Sequence, residues 1–530
     1  MHVVDSDFQT SNMKKILYLL PLLLFYLFHA HAGTSNSAHA RIINITHTGT
    51  IDITRYGAQP DGVTKCTRAI QQAIDDCSKA GGGIVLVPAG NFYTGTIYLK
   101  DRVSLFLDKG AILSGSTDST DYPANSPQTI RCLDTHGPHG GPLKNYALIY
   151  AEGQQDISIL GEGTINGNGD YAGWQRGDNG HNRPKVIFLI SCKKVTVKDI
   201  TLRNSPFWME DYLGCDGVEI EGIHVFNHAN WNEDGLDIDS KNVTVSNCII
   251  DSDDDGICLK SYIRDQSCEN VTITNCVVST NCNAIKLGTP GYGGFKNINV
   301  SNCTVGPCSI DLIRQLQNKY PNITAAPASV SGISLECVDG GKADGITINN
   351  ITIRSTLTPI FMRLGNRPDR MLSDTGTYIP CLRNVIISNI ISDGHSHRTS
   401  SITGYPGTYV ENVQLHHIIL DLDGGGTLAE KNVSSVKEKD GGYPTPEMFG
   451  QSLPASVFYI RHVNGISIGD VWVNFSRDEA RYPIVLDDVQ FASIKNIFIK
   501  DQTGKTRIIE SGDIKTNLSE SIYLFDAKIK

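Results

Sequence analysis

Asn242-Val-Thr-Val-Ser-Asn-Cys248, Asn270-Val-Thr-Ile-Thr-Asn-Cys276 and Asn297-Ile-Asn-Val-Ser-Asn-Cys303 are three copies of one seven-residue unit, with starts 28 and 27 residues apart. A repeat of that period signals an array or solenoid. Within each copy apolar and polar residues alternate, placing Val243/Val245, Val271/Ile273 and Ile298/Val300 on one face, so each is a short strand with one buried side. Asn247, Asn275 and Asn302 recur at the strand ends, where asparagine tolerates a left-handed backbone that strains most residues. Weaker copies occur at Val195–Ile200, Val218–Ile223, Gly345–Asn350, Asn384–Asn389, Val413–Ile418, Gly465–Asp470 and Ile494–Ile499. Stacked coils grow along one axis and escape the size limit of a single globular core, so 530 residues read as one solenoid domain.

Residues 1–32 read as a signal peptide rather than part of the fold. Lys14-Lys15 precedes the apolar run Ile16–Phe28, then Ala30-His31-Ala32, with Met13 as the expected true start and 33–530 as the mature domain. The 13 apolar residues fall short of the roughly 20 needed to span a bilayer, so no membrane association is expected. The 14 cysteines do not form a disulfide framework: Cys248, Cys276 and Cys303 repeat in phase and read as small stacked core residues. The pairs Cys66 with Cys77 and Cys303 with Cys308 stay open as bridges, and no Cys/His spacing suits zinc. A net charge of −10 argues against a nucleic-acid partner.

A solenoid exposes its core at each end and needs a cap. Thr67–Cys77, with Ala69, Ile70, Ala73, Ile74 and Cys77 on one face, is the expected N-terminal capping helix. Gly81-Gly-Gly83 opens a strand and lacks a following Lys-Ser/Thr, so it reads as a turn and not a phosphate cradle.

Two acidic segments carry the chemistry. Asn232-Glu233-Asp234-Gly235-Leu236-Asp237-Ile238-Asp239 precedes Asp253-Asp254-Asp255-Gly256 by 20 or 21 residues from Asp234, close to one coil, so these carboxylates are expected to stack. Stacked like charges shift each other's proton affinity and separate an acid from a base, as glycoside hydrolysis requires. Asp237, Asp239, Asp251 and Asp253 are expected to be turn formers or calcium ligands.

Together with the run Tyr56–Ser116, Arg183-Pro184 and Asn204-Ser-Pro-Phe-Trp208, the two acidic segments resemble glycoside hydrolase family 28, the polygalacturonases and rhamnogalacturonan hydrolases of pectin. The resemblance runs in motif order over about Ile51 to Asn366. It implies an all-β, right-handed parallel β-helix of the pectin-lyase-like type, hydrolysis of α-galacturonosyl-type bonds with inversion, and no required cofactor or metal. The family's Asn-Thr-Asp motif falls on Asn232-Glu233-Asp234 and its Gly-Asp-Asp motif on Asp253-Asp254-Asp255. The resemblance implies Asp254 as general acid, with Asp234 and Asp255 holding and deprotonating the attacking water. General inverting geometry leaves about 6.5–9.5 Å between the two carboxyls for that water.

Two departures bear on the substrate. Asn283, in Cys282-Asn-Ala-Ile-Lys-Leu-Gly-Thr289, stands where the family has the histidine of Gly-His-Gly, and Ser334-Leu335-Glu336 stands where it has Arg-Ile-Lys. A glutamate there would repel a galacturonate carboxylate, so binding cations are sought at Lys286, Arg363 and Arg367, the two arginines being otherwise solvated surface residues. Rhamnogalacturonan or a branched pectin fragment is then as good a substrate as homogalacturonan. His228 is a candidate to take over from the missing histidine, and His224 is expected to point outward from its strand. Trp208 and Trp231 read as sugar-stacking platforms or as core. The sequons at Asn242, Asn270 and Asn350 follow from strand alternation and are weak signs of glycosylation. The expected product is a secreted, monomeric glycosidase acting on pectic poly- or oligosaccharide. The loops Thr117–Asn145 and Gly424–Pro454 are expected to close one end of the groove and so to favour exo action. A calcium-dependent pectate-lyase-like enzyme and a noncatalytic carbohydrate-binding solenoid are the alternatives.

Overall fold

The computed structural model describes residues 49–125, 127–129, 146–174, 183–230, 232–309, 329–367, 379–396, 398–439, 441–450 and 452–517. The expected signal peptide, Trp231 and the segment 130–145 of the first long loop lie outside them. Among the described residues the repeats are rungs of a parallel β-helix. One inward column runs in register Val85, Leu105, Ile159, Val197, Ile220, Val245, Ile273, Val300, Ile348, Ile387, Leu415, Ile468, Ile494. All are buried, and burying each aliphatic side chain contributes about 1.5–3 kcal/mol. Every weaker repeat named above is also a paired strand.

The corners hold because asparagine takes the left-handed conformation there: φ is 57° at Asn242, 57° at Asn270 and 54° at Asn297. Their amides form a ladder, Asn297 Nδ2 donating to Asn270 Oδ1 and Asn270 Nδ2 to Asn242 Oδ1, both at 3.0 Å. The ladder ends at Gly345 (φ 75°), where a residue with no side chain fills the same corner. Asn242 Nδ2 donates in turn to Asp216 Oδ1, so the sequon amides at Asn242 and Asn270 are already engaged with neighbours.

The helix Thr67–Lys79 buries Ile70, Ala73, Ile74 and Cys77 over the first coils, as a cap must. Cys66, Cys77, Cys303 and Cys308 are all free thiols, so neither bridge left open by the spacing is made. Cys248, Cys276 and Cys303 are buried in the core, as their phase implied. Val436 and Leu453 of the segment Gly424–Pro454 pack with Ala455, Tyr459 and Val485 of the coils in a separate apolar cluster, so this loop is a packed strap containing the short helix Leu428–Lys431.

One core position breaks the aliphatic rule. Glu210 lies in register between Ile187 and Leu236, fully buried, and its carboxylate accepts the Tyr212 hydroxyl at 2.7 Å. Burial pushes this carboxyl up from 4.5 to about 8, with the Tyr212 bond opposing. The folded chain thus keeps a proton that the unfolded chain releases above 4.5, and stability falls as pH rises from 4.5 to about 8. Glu210→Gln should flatten that slope in urea titrations run at pH 5 and pH 8, raising stability chiefly at the higher pH. Asn270→Ala should cost about 1–3 kcal/mol, by left-handed strain and a lost hydrogen bond, and Asn270→Gly clearly less.

Candidate functional site

The site forms where successive coils turn into one outer sheet face. Gly235 N donates to Asp255 O and Gly256 N to Asn283 O, both at 2.9 Å, so Asp234, Asp255 and Asn283 stack on consecutive coils. The glycines permit this approach. A Cβ on Gly256 would lie 2.3 Å from Val278 Cγ1 and 2.8 Å from Ala284 O, and one on Gly235 would lie 2.6 Å from Gly256 O. The coil expected from sequence is confirmed by the register, which pairs Leu236 with Ile257 and Asp237 with Cys258. In the strands that follow, Leu236, Ile238, Ile257, Leu259, Ile285 and Leu287 belong to the core, while Asp237, Lys260 and Lys286 sit on the opposite, outer face.

Asp234 and Asp255 are buried, and Asp254 is the more open of the three. Asn232, with φ 56°, donates from Nδ2 to Asp254 Oδ2 at 3.5 Å and accepts from Arg183 at 3.4 Å. Asp254 also accepts from the backbone N–H of Asp255 at 2.9 Å, while Ser252 Oγ and Thr280 Oγ1 donate to its carbonyl. Asn283 grips Asp255 through Nδ2 at 2.7 Å and its backbone N–H at 3.2 Å, and its own oxygen accepts from Ser331 at 2.7 Å. The residue in the place of the family histidine therefore clamps a carboxylate.

Two buried lysines divide the charge. Lys286 Nζ lies 2.8 Å from Asp255 and 3.7 Å from Glu336, and Lys260 Nζ lies 3.1 Å from Asp237 and 3.5 Å from Asp234. Burial works against their charge, but Asp255 and Glu336 on one and Asp237 and Asp234 on the other more than offset it, holding both lysines well above their usual range. Burial would raise Asp255 too, yet Lys286, Lys260 and the Asn283 bond bring it down to about 2. Burial pushes Asp234 well up, and Asp237 adds to this against the opposition of Lys260. Burial also lifts Asp237 to about 7 and Glu336 to about 7, the second against the pull of Lys286. The two stacked acids are thus shifted in opposite directions, Asp255 down by its cations and Asp234 up by burial.

Several expectations are corrected. Asp237 and Asp239 lie within the strand Leu236–Ser246 and not in a turn; Asp239 Oδ2 accepts the Tyr262 N–H at 2.7 Å. Asp251 pairs with His228 Nε2 at 2.8 Å and accepts from Ser309, so His228 is buried against Asp251 and does not replace the missing histidine. Arg363 and Arg367 are buried rather than solvated. Arg363 donates to the carbonyls of Gly404 and Lys439, and Arg367 Nε donates to Asp339 at 2.6 Å, so internal partners hold the guanidiniums expected to reach a substrate carboxylate. Trp208 is core, its ring 4.6 Å from both Lys185 Nζ and Lys260 Nζ. His224 is exposed on its strand, as expected. One oxygen of Asp254 lies within 4.8 Å of one oxygen of Asp255.

The sequence reading missed the ion-pairing role of Asp237 and the participation of Tyr443, whose hydroxyl lies 3.1 Å from Lys286 Nζ across 157 residues of chain. Asp237 carried a signal, since it alternates with core residues beside Asp234; Tyr443 carried none. Among the described residues, two groups bring metal-ligand atoms within 4.8 Å: His228/Asp251/Cys308 and Asp254/Asp255/Cys282. Neither suits calcium, which takes 6–8 oxygen ligands, because each includes a thiol and few oxygens.

Residues 77–314 match the model of glycosyl hydrolases family 28. Among curated relatives, a probable polygalacturonase of Vitis vinifera is 32% identical over 217 residues, 39% of this chain and 43% of the relative. An exo-poly-alpha-D-galacturonosidase of Dickeya chrysanthemi is 30% identical over 261 residues, 39% of this chain and 41% of the relative. The chain thus spans under half the length of these two relatives. Of solved structures, the Yersinia enterocolitica family 28 exopolygalacturonase superposes with a TM-score of 0.53 at 18% identity, covering 90% of this chain and 78% of its own. The Thermotoga maritima exopolygalacturonase gives 0.52 at 20%, covering 71% and 87%. These likenesses establish the fold, a right-handed parallel β-helix.

Lys286→Met removes the nearest cation from Asp255, so the carboxyl titration of Asp255 followed by NMR should move up from about 2 toward or beyond the ordinary 3.8. An unmoved titration would mean that Lys260 and Asn283 hold the charge without Lys286.

Proposed function

We propose that this chain, which belongs to glycosyl hydrolases family 28, hydrolyses glycosidic bonds of galacturonate-containing pectin as an exported enzyme. The observation that carries this reading is the stack of Asp234, Asp255 and Asn283 on consecutive coils, with Asp254 on its open side and Asp255 ionised by Lys286. In this mechanism Asp254 protonates the leaving oxygen. Asp255, the carboxylate of the site, takes a proton from the attacking water. Asp234, whose proton affinity burial raises, helps to hold that water. Asn232 orients Asp254, and Asn283 orients Asp255. Inversion of the anomeric centre is what the family likeness implies, and the anomer first formed, read by NMR, checks it.

The alternative of a lyase is disfavoured by the same charges. A lyase of this fold needs a cationic residue that can shed its proton and act as base, and Lys260 and Lys286 are both held firmly protonated. Because Arg363 and Arg367 are internally engaged, a branched or rhamnose-containing backbone is as good a substrate as homogalacturonan. Exo action is supported by the strap 424–454, which lies over the outer face just beyond the site.

Purified protein should release reducing ends from homogalacturonan, rhamnogalacturonan or their oligomers, with chelator making no difference. Asp254→Asn should lower turnover by about 10²–10⁴-fold, the usual contribution of a general acid. Reducing ends should accumulate long before viscosity falls. Binding without release, equal in wild type and Asp254→Asn, would instead make this a noncatalytic carbohydrate-binding solenoid.

A further inference from the structure

The strap between residues 424 and 454 is fastened at several places without help from Tyr443. Arg363 donates to Lys439 O, Arg461 pairs with Glu438 and donates to Val436 O at 2.8 Å, and Arg398 pairs with Glu447. Phe449 packs with Tyr459 at 6.4 Å and lies 5.3 Å from the Arg363 guanidinium. Tyr443 does something different. It is 54% exposed, so its ring adds little to the packing of the strap, yet its hydroxyl reaches back to Lys286 Nζ at 3.1 Å. The ring centre stands 5.5 Å from that ammonium and 5.7 Å from the Arg367 guanidinium. It therefore stands in the groove, over the coil that follows Asp255.

That position sets a length. Lys286 pairs in register with Cys258, one coil beyond the strand that follows Asp255, and successive coils are about 4.8 Å apart. An obstacle one coil beyond the ionised carboxylate leaves room on that side for roughly one pyranose ring. Beyond Tyr443 the outer face is covered by the strap segments that contact Arg363 and Arg461, so a longer chain has no continuation.

We infer that Tyr443 is the end wall of the sugar-binding groove: its ring stops the polysaccharide one coil past Asp255, and the enzyme releases single sugar residues from a chain end. The inference rests on the hydrolase reading above and deepens it by assigning the product length to one side chain. The ring is placed by its faces toward the Lys286 ammonium and the Arg367 guanidinium as well as by the hydroxyl bond, and the ring itself does the blocking. Tyr443 is a specificity-determining residue and takes no proton in the reaction.

The test uses the full chain on oligogalacturonides and rhamnogalacturonan oligomers of defined length, with initial products resolved by mass. Wild type should yield the single-sugar product from the first time point. Tyr443→Phe, which keeps the ring, should retain that pattern. Tyr443→Ala should lose it and give products of two or more sugars, with an unchanged melting temperature as expected for an exposed side chain. A Tyr443→Ala enzyme that still releases only single sugars, or a wild type that gives mixed lengths at once, overturns the end wall while leaving the hydrolase intact. Failure of wild type to cut any oligomer, or cutting undiminished in Asp254→Asn, overturns the hydrolase reading and the end wall with it.

Discussion

Parallel pairing from coil to coil is the constraint on which this molecule depends. Once Leu236 pairs with Ile257 and Ile257 with Ile285, every outward residue has fixed neighbours about 4.8 Å above and below it. On the inward side that rule stacks aliphatic residues. On the outward side it stacks carboxylates, which are unstable together unless cations are interleaved. Lys185 with Asp211, Lys260 with Asp237, and Lys286 with Asp255 provide that interleaving along a buried face. Breaking one such buried pair typically costs about 3–5 kcal/mol, since the remaining charge is left without water or partner.

The two central lysines are placed unequally. Lys286 and Asn283 both address Asp255, whereas Lys260 lies closer to Asp237 than to Asp234. Two acids of the same type, stacked one coil apart, are thus shifted in opposite directions. Asn283 fits this division: an amide can donate to Asp255 while accepting from Ser331, without adding a titrating group to a crowded cluster. The Glu336 carboxyl, held near 7 and 3.7 Å from Lys286, completes the charge balance on the far side of that ammonium.

The rungs themselves are nearly uniform, and individuality enters through connections between them. Most corners are made by a single left-handed asparagine or a glycine, but the segment 424–454 leaves the coil, packs its own apolar cluster and returns to the sheet with Tyr443 beside Lys286. A regular scaffold carrying an irregular loop lets the cleft be altered without disturbing the core.

What the sequence by itself determined was whatever repeats or lies close along the chain. The Asn-x-x-x-x-Asn-Cys periodicity showed the solenoid, the apolar face of Thr67–Lys79 showed the cap, and the 21-residue interval from Asp234 to Asp255 placed the acids together, because a coil's length is written directly into residue spacing. Only the tertiary structure decided which cations those acids meet and which are out of reach. Arg363 and Arg367 looked like surface or substrate-binding groups, yet the strap and Asp339 bury them; His228 turned to Asp251; and Tyr443 arrived from 157 residues away. Burial and long-range loop return set these partners, and neither leaves a local pattern of residues from which to read them.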